Sequence, residues 1–599
     1  MALACSLEKS AFGLKQVRDA STAALRQLLE GLNMGDVEVL LEPRLWSLFH
    51  HFSHLGGEEM AALRVKEVHK MELNTKHHGH TALVYIVRPY VAHVHLMVEH
   101  MKQEQAARLP ATLQCVILHT GVWNALCADI VSRAALSVAI HPFHLGFIPL
   151  DNDVLTMGHD TLLQDCYLHG NKTALADLGL ALHVLQQSMG DISTVYYKGE
   201  LSKSVWKTLS QLNGDVPPVT KPKKQRIDCM VLLDRKLDYV APLSTPLTHE
   251  ALLENLLGFR DGVVAVDPLI VEASSGNPEA AATNQANKTT WSFNGDDAIF
   301  QDIRDKHVQA IGPYLHSLSA VFAEERKQME TMLRAESTTV KQLEEISTNM
   351  NTHVDKCAVL AKHVALAEMI QTTTKSKAFR TTWQLEKAIL ERQDHLGDIE
   401  ALIWKHTPVD SVLRLLALHS LANGGIPKPV YEHLKTQCLH LYGFEYLHTF
   451  ENLETMGVLT PAAANGSPFN FVQAWELTGH FDSDMSNPDD PSYVTGGYCP
   501  LVVKLVQAAI EEDGWTHLEP LLNRLPGPSA VLTAPVKPKK TKRVLVVVVG
   551  GLTNTEMAAL RFLGQRLKCT FLMACDGILS GKTLVDQAME SIPNGLMQK

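Results

Sequence analysis

One sequence pattern occurs twice in this chain and constrains its fold more than any other feature. A basic, proline-containing linker leads directly into a buried strand at "KPKKQRIDCMVLLD" (221–234) and again at "VKPKKTKRVLVVVV" (536–549). About 300 residues with few strand signals separate the two, and one more strand, "CTFLMAC" (569–575), follows the second. The chain is therefore predicted to be an α/β protein whose sheet domain is interrupted by a large, mostly helical insertion.

The first 145 residues predict a separate α/β domain. Short buried strands at "VEVLL", "ALVYIV", "TLQCVIL" and "ALSVAI" alternate with helical segments, which favours a parallel sheet. We expect domain 1 at residues 1–145 and a split sheet domain at 146–238 plus 490–599. The insertion then occupies 239–489.

A long helix inside the insertion is predicted to begin with a capping box formed by Thr339 and Gln342. Its apolar residues follow a 3.5-residue period in two rows: Leu343, Met350, Cys357 and Val364; and Val340, Val354 and Ala361, interrupted by Ser347. A preceding helix carries Ile311, Leu315, Leu318 and Phe322. Two alternatives follow: a helix pair packed inside a helical domain, or a projecting hairpin near 326–337 that receives partner helices.

Two glycine-containing stretches resemble phosphate-binding loops but depart from the patterns that bind nucleotides. Gly550 and Gly551 follow a buried strand, but the later glycines of G-x-G-x-x-G are missing. "GILSGKT" (577–583) has the end of a P-loop, but Asp576 stands where its first glycine belongs. We predict a structural strand-to-helix turn and no nucleotide.

Other candidate catalytic and metal motifs are incomplete. Asp234 and Asp238 have D-x-x-x-D spacing, which favours capping the turn and holding Arg235 over acting as a nucleophile. An H-E-x-x-H motif begins at His249 but position 253 is leucine, and "TKHHGH" (75–80) is predicted to be a surface loop. We predict neither an enzyme nor a cofactor or physiological metal site.

Charge and cysteine usage limit the possible partners. The net charge of −11 argues against a nucleic-acid-binding protein, which usually carries a basic face. The ten cysteines include no C-x-x-C pair, which is typical of reduced cytosolic thiols. No signal peptide or membrane-spanning run is recognisable, so we expect a cytoplasmic protein that acts at membranes through a partner.

Several segments, in order along nearly the whole chain, resemble the SM (Sec/Munc) family. They are "YIVRPYVAHVHLM" (85–97), "FIPLDNDVLTM" with "CYLHGNKT" (147–173), "VLLDRKLDYVAPLSTPLTHEALLENLLG" (231–258), "GGYCPL" (496–501) and "VVGGLTNTEMAALRFL" (548–563). "YLHTFENLETMGVL" (446–459) and "LPGP" (525–528) resemble one branch of that family. The chain departs from the family pattern at Tyr90, a usual arginine, and at His249 and Phe444, both usual tyrosines.

The resemblance implies an arch of three domains whose third domain is the helical insertion, in two halves at 239–360 and 361–489. SM proteins bind SNAREs, and this branch is the SNARE-binding subunit of the HOPS and CORVET tethering complexes. The chain is then expected on late endosome and lysosome or vacuole membranes, as a peripheral protein that templates or proofreads SNARE assembly. The alternative is a structural tether subunit without direct SNARE templating.

Two partner-binding surfaces are expected. The resemblance implies SNARE binding on the hairpin surface at residues 322–345, and polarity and position there select the charged residues expected to set register: Glu325, Arg326, Lys327, Glu330, Arg334, Lys341 and Glu345. The resemblance places the helical-solenoid C-terminus of vacuolar protein sorting-associated protein 16 on "HLKTQCLHLYGFEYL" (433–447), with contacts at Lys435, Phe444 and Leu447. Alternatively, Phe444 and Leu447 are core residues of a helical subdomain.

Overall fold

The structure is a computed structural model of the 599-residue chain. It describes all residues except 1–3, 33, 73–81, 108–113, 135–136, 191, 216–226, 268–269, 271–288, 334–339, 463–470, 479–487, 512, 534–542 and 590–599. The side chains of 105–107, 215 and 340–346 also lie outside the described part, although their backbones are helical.

The N-terminal region forms a five-stranded parallel sheet in the order β2-β1-β3-β4-β5. Its strands are β1 Val37–Leu41, β2 Val65–Lys70, β3 Ala82–Val87, β4 Gln114–His119 and β5 Val138–Pro142. The flanking helices are α1 Lys15–Gly31, α2 Pro43–Phe52, α3 Gly57–Ala62, α4 Val91–Ala107 and α5 Ala125–Arg133. β1 and β3 are buried along their whole length because helices cover both faces of the sheet.

A seven-stranded sheet joins sequence from both sides of the insertion, in the order β12-β8-β9-β13-β14-β7-β6. Its strands are β6 Ile148–Asp151, β7 Val154–Thr156, β8 Thr194–Lys198, β9 Cys229–Asp234, β12 Ser529–Thr533, β13 Arg543–Val549 and β14 Thr570–Cys575. The strands that follow the two basic linkers, β9 and β13, are parallel neighbours with Val544 opposite Cys229. The predicted interruption of the sheet by an insertion is therefore confirmed.

The helices of this sheet domain lie on both sides of the insertion. They are α6 Leu162–Tyr167, α7 Thr173–Met189 and α8 Glu200–Asp215 before it, and α20 Leu501–Ile510, α21 Glu519–Leu522, α22 Asn554–Leu567 and α23 Gly581–Asp586 after it. Short 3-10 turns occur at Arg235–Leu237, Pro491–Val494 and Thr516–Leu518. The boundaries placed at 145, 238, 360 and 489 stay predictions.

The insertion is helical apart from one two-stranded antiparallel ribbon among its described residues, β10 Val263–Val266 with β11 Thr289–Ser292. Its first helices are α9 Val240–Leu243, α10 His249–Leu257, α11 Ala298–Ile303, α12 Val308–Leu333 and α13 Val340–Lys375. They continue as α14 Lys377–Leu390, α15 Leu396–Trp404, α16 Val409–Asn423, α17 Lys428–Tyr442, α18 Tyr446–Met456 and α19 Phe471–Ala474.

Buried ion pairs join the insertion to the sheet domain. Arg304, just after α11, pairs with Asp151 on β6 and donates to Glu250 on α10 at 2.8 and 3.0 Å. Arg561 on α22 bridges Asp153 at 2.8 Å and Asp305 at 3.0 Å. Burial opposes ionisation of Asp151, but Arg304 and Arg561 hold its pKa below the usual range. The root of the insertion is therefore fixed on the sheet by mutually neutralised charges.

Candidate partner-binding surfaces

The glycine turn after β13 has its amide groups already satisfied. The N–H groups of Gly550 and Gly551 donate to Oδ1 of Asp576 at 2.7 and 3.1 Å. A Cβ atom on Gly550 would lie 2.5 Å from Leu163, and one on Gly551 would lie 2.8 Å from Leu579. Both glycines have positive φ, at 103° and 99°. Asp576, which stands where the first P-loop glycine belongs, therefore already accepts the two glycine N–H groups that a phosphate bound at this turn would need.

The acids around Arg235 have structural roles, as the spacing predicts. Asp234 accepts from the N–H groups of Leu201 and Ser202, at the start of α8, at 2.9 and 2.6 Å. Asp238 accepts from the N–H of Leu501 at 2.9 Å, and the fully buried Arg235 donates to Glu556 at 2.7 Å. These carboxylates cap helices and neutralise one guanidinium, which leaves no paired acids for nucleophilic chemistry.

One described cluster brings three possible metal ligands together on the first sheet. Glu38 and Glu67 face each other across β1 and β2, and ligand atoms of both and of His69 lie within 4.8 Å of one another. Nε2 of His69 is 2.9 Å from Glu67 and 3.8 Å from Glu38, so the imidazole itself bridges the carboxylates. The histidines of "TKHHGH" lie outside the described residues. Among the described helices, none is both long and apolar enough to span a membrane.

Helices α12 and α13 form the hairpin whose register the heptad rows predict. Its base is packed by Ile311, Leu315 and Leu360, which are 2–7% exposed and contact apolar residues of α11. Residues 334–339, between the two described helices, lie outside the described part of the chain, and Thr339 and Arg334 are among them. The core therefore extends along only the first half of α12.

The seam between these helices corrects one predicted apolar row. Val354 does not lie in the seam; it is 60% exposed. The neighbouring His353 is buried instead, with Nε2 2.9 Å from the carbonyl oxygen of Phe322 and the two rings 5.7 Å apart. A histidine whose nitrogen bonds the opposite helix can occupy a seam position that pattern counting assigns to valine.

Beyond Phe322 the hairpin projects from the core. Every side chain from 323 to 333 is exposed or half-exposed, and these residues extend about 16 Å along the helix at about 1.5 Å per residue. Among the residues predicted to set SNARE register, Glu325, Arg326 and Lys327 are exposed and Glu330 is half-exposed. Arg326 pairs with Glu330 at 3.0 Å, one turn along the helix. The side chains of Lys341 and Glu345 are not among those described.

The hairpin also exposes apolar side chains that the charge-based prediction omitted. Val321, Met332 and Leu333 on α12 and Val354 on α13 are 45–60% exposed. Val321 and Met332 are eleven residues apart, about three helical turns, so they lie on one face. Val321 and Val354 each adjoin the Phe322–His353 contact and so lie at one level of the hairpin. The eleven-residue spacing is the sequence signal that indicates this stripe.

A second exposed site lies on the turn between α17 and α18. Phe444 is 69% exposed, with its ring 6.0 Å from that of His440 in an edge-on arrangement. Gly443, which precedes it, has φ +123° and ψ 154°, a region accessible essentially to glycine alone. Leu447 is half-buried one turn later. Phe444 is therefore a surface residue held by a glycine turn, not part of the helical core.

Lys435 is less available than its predicted role suggests. Its side chain is only 15% exposed, and Nζ lies 3.8 Å from Glu454. The ammonium also lies about 6 Å from the ring centroids of Tyr431 and Phe450. Lys435 thus packs beneath the turn, and Phe444 presents the accessible surface.

Comparison with known proteins assigns this architecture to a family. The profile of the Sec1 family matches residues 59–587. The vacuolar protein-sorting-associated protein 33 homolog of Arabidopsis thaliana is 27% identical over 620 residues, covering 99% of this chain and 100% of the relative. Vacuolar protein sorting-associated protein 33A of Rattus norvegicus is 27% identical over 530 residues, covering 85% and 86%. The "LPGP" and "YLHTFENLETMGVL" motifs indicate this same branch, subtype A.

Solved structures agree on the fold. The Unc18–syntaxin 1 complex from Monosiga brevicollis contains a chain that superposes with a TM-score of 0.58 at 16% identity, covering 96% of this chain and 99% of that one. Sec1-family proteins regulate vesicle transport by binding SNAREs and are not enzymes, which confirms the non-enzymatic prediction. Since the family profile spans most of the sequence, we conclude that the chain belongs to the Sec1 family.

Proposed function

We propose that this protein is the SNARE-binding subunit of a HOPS- or CORVET-type tethering complex. It templates or proofreads SNARE assembly for fusion of endosomes with lysosomes or vacuoles, as a peripheral protein on those membranes. The hairpin of α12 and α13 receives SNARE helices. The turn at Phe444 binds the C-terminal solenoid of vacuolar protein sorting-associated protein 16. The curated relatives named for vacuolar protein sorting support this assignment.

The observation that carries the proposal is the projecting half of the hairpin. Residues 323–333 form a regular helix whose side chains are all exposed or half-exposed, with Met332 and Leu333 as its exposed large apolar side chains. SNARE motifs are amphipathic helices that also need an apolar partner face. Val321, Met332 and Val354 offer apolar side chains for such a face, while Arg326 and Lys327, about 120° or more around α12 from Val321 and Met332, supply charges that favour one register.

Templating needs no covalent chemistry. Two helices held side by side on a rigid support have already lost most of the translational and rotational freedom that their association costs. The buried base at Ile311 and Leu315 supplies the rigidity. The gain is a faster first pairing step rather than a tighter final bundle.

Two distinct defects are expected from two sets of changes. Lys327→Glu with Lys341→Glu should weaken binding of endolysosomal SNARE motifs, singly or as zippered bundles, and leave solenoid binding intact. Phe444→Asp should abolish solenoid binding and leave SNARE binding intact. Lys203→Glu with Lys207→Glu on α8 is a matched charge reversal at exposed positions of the sheet domain. Thermal unfolding of every variant should match that of the wild type.

A pull-down with SNARE motifs and with the solenoid as separate baits measures these defects. Each of its outcomes distinguishes a function. SNARE capture that depends on the hairpin and solenoid capture that depends on Phe444 support a template carried by a tether. Solenoid capture without any SNARE binding would identify a structural tether subunit and refute templating. SNARE binding that survives the hairpin reversal would place that site on another surface.

A further inference from the structure

The last residue of α15, Trp404, is an exposed aromatic side chain that the proposed function leaves unused. It is 62% exposed, and among the chain's eight tryptophans, all in the described part, it alone is exposed rather than buried or half-buried. Large apolar side chains at this exposure leave a substantial area in water, which favours association. Its surroundings show how this helix end is held.

A carboxylate network joins the end of α15, which carries Trp404, to α17. Glu400, one turn before Trp404, accepts from Nε2 of Gln437 at 2.7 Å and lies 3.1 Å from Nε2 of His433. Hydrogen bonds from Gln437 and His433 lower the pKa of the Glu400 carboxyl. The helix end that presents Trp404 is thus held against its neighbour.

Trp404 and Phe444 lie at the same end of two adjoining helices. Glu400 on α15 contacts His433 and Gln437 on α17. One helical turn after these contacts, Trp404 on α15 lies level with the last turn of α17. The Tyr442 hydroxyl donates to the carbonyl of Thr407 at 2.6 Å and ties the two helix ends together. Phe444 follows two residues after Tyr442. The two exposed aromatic rings therefore belong to one surface.

We infer that Trp404 is a second aromatic anchor for the helical-solenoid partner, and this inference rests on the proposed function of Phe444. Interface hot spots are enriched in tryptophan, and an anchor on a helix end that is already packed needs little ordering of the backbone on binding. Two anchors on adjacent helix ends fit the apolar groove between successive solenoid helices. Lys405 and His406, both exposed beside Trp404, require an acidic rim on the partner at this end.

Intrinsic fluorescence tests this inference directly. Acrylamide should quench wild-type emission more strongly than that of Trp404→Phe, because the other seven tryptophans are shielded. Adding the solenoid fragment, with its own tryptophans replaced by phenylalanine, should remove that difference. Titration of the full chain should show Trp404→Ala weakening the solenoid Kd at least tenfold, and Trp404→Phe about threefold or less. Val184→Asp on α7, another exposed apolar position, is the control and should not change the Kd.

Failure of this inference differs from failure of the proposed interface. If Phe444→Asp abolishes binding while Trp404→Ala stays within twofold and quenching is unchanged, Trp404 is no anchor and the interface stands. If both variants bind like the wild type, the interface itself is wrong, and the inference with it. If only Trp404→Ala weakens binding, Trp404 is the anchor and Phe444 is not.

Discussion

Replacing Asp576 with asparagine should change how the stability of the protein depends on pH. Oδ1 of Asp576 accepts both glycine N–H groups, and asparagine keeps that oxygen while removing the charge. Burial raises the pKa of Asp576 from 3.8 to about 7. The folded state therefore holds this proton more tightly than the unfolded state, and wild-type stability falls as the pH rises from about 4 through 7.

The magnitude follows from this difference in pKa. Each pKa unit corresponds to about 1.4 kcal/mol, so the wild type should lose about 3 kcal/mol of unfolding free energy between about pH 5 and about pH 8 through this carboxyl. The asparagine variant loses none of it. Relative to the wild type, its melting temperature should rise by about 2 °C across that range, because a chain of this length unfolds with an entropy of about 1.3 kcal/mol/K.

Thermal unfolding followed by circular dichroism at several pH values measures this difference. The half-exposed Asp129→Asn on α5 controls for the removal of one carboxylate from the chain. A gap between Asp576→Asn and the wild type that stays constant from pH 5 to pH 8 would refute the reasoning. It would mean that the glycine amides bind the carboxylate strongly enough to offset its burial.

Three further predictions use the same kinds of measurement. Glu556→Gln should lower the urea midpoint by the equivalent of about 3 kcal/mol, because it removes the carboxylate that pairs directly with the buried Arg235. A change below about 1 kcal/mol would contradict this. His249→Phe should reduce the loss of stability on acidification from pH 7 to 5. Burial lowers the pKa of His249 in the folded state to about 3, so protonation favours the unfolded state. An unchanged dependence of the melting temperature on pH would argue against this. Gly443→Ala should weaken solenoid binding by moving Phe444, because the φ of Gly443 is +123° and a Cβ there would lie 2.2 Å from a glutamate oxygen. Gly214→Ala, with open space around it, should bind normally in the same titration.

Local pattern was enough to predict the split sheet and the glycine turn. β9 and β13 are apolar except for Asp234 at the end of β9 and Arg543 at the start of β13. Both follow similar linkers, and they prove to be neighbours. The pattern missed β8 and β12, which pair antiparallel at one edge of the sheet. Both are five-residue strands with polar positions, and two residues of β12, Val531 and Leu532, are 47% and 37% exposed. Such strands are defined by the neighbour they pair with, which a local window does not contain.

On the candidate surfaces too, some features can be predicted from the sequence and others depend on tertiary contacts. Charges on the hairpin are readable because a helix face follows from spacing alone. The exchange of Val354 for His353 in the seam depends on the Phe322 carbonyl of the opposite helix, at a sequence separation of 31 residues. The exposure of Trp404 likewise depends on how α15 meets α17. The sequence therefore predicts where charged residues lie on the hairpin more readily than which apolar or aromatic side chains face out.

If both proposed surfaces bind their partners, the helices between them would determine how a bound SNARE is oriented relative to the tether. α13 passes into α14 through a single residue, Ser376, which caps α14 by accepting from the N–H of Phe379 at 3.2 Å. Glu386 on α14 is buried, pairs closely with Arg414 on α16 and accepts from the Thr245 hydroxyl at 2.7 Å. α16 packs on α15, which meets α17 just before Phe444. Each step along this path is a cap, an ion pair or a hydrogen bond between neighbouring helices, and Glu386 at its centre is buried. A SNARE pair held on the hairpin would then be presented at a fixed angle from the tether, which is what a template needs to set register.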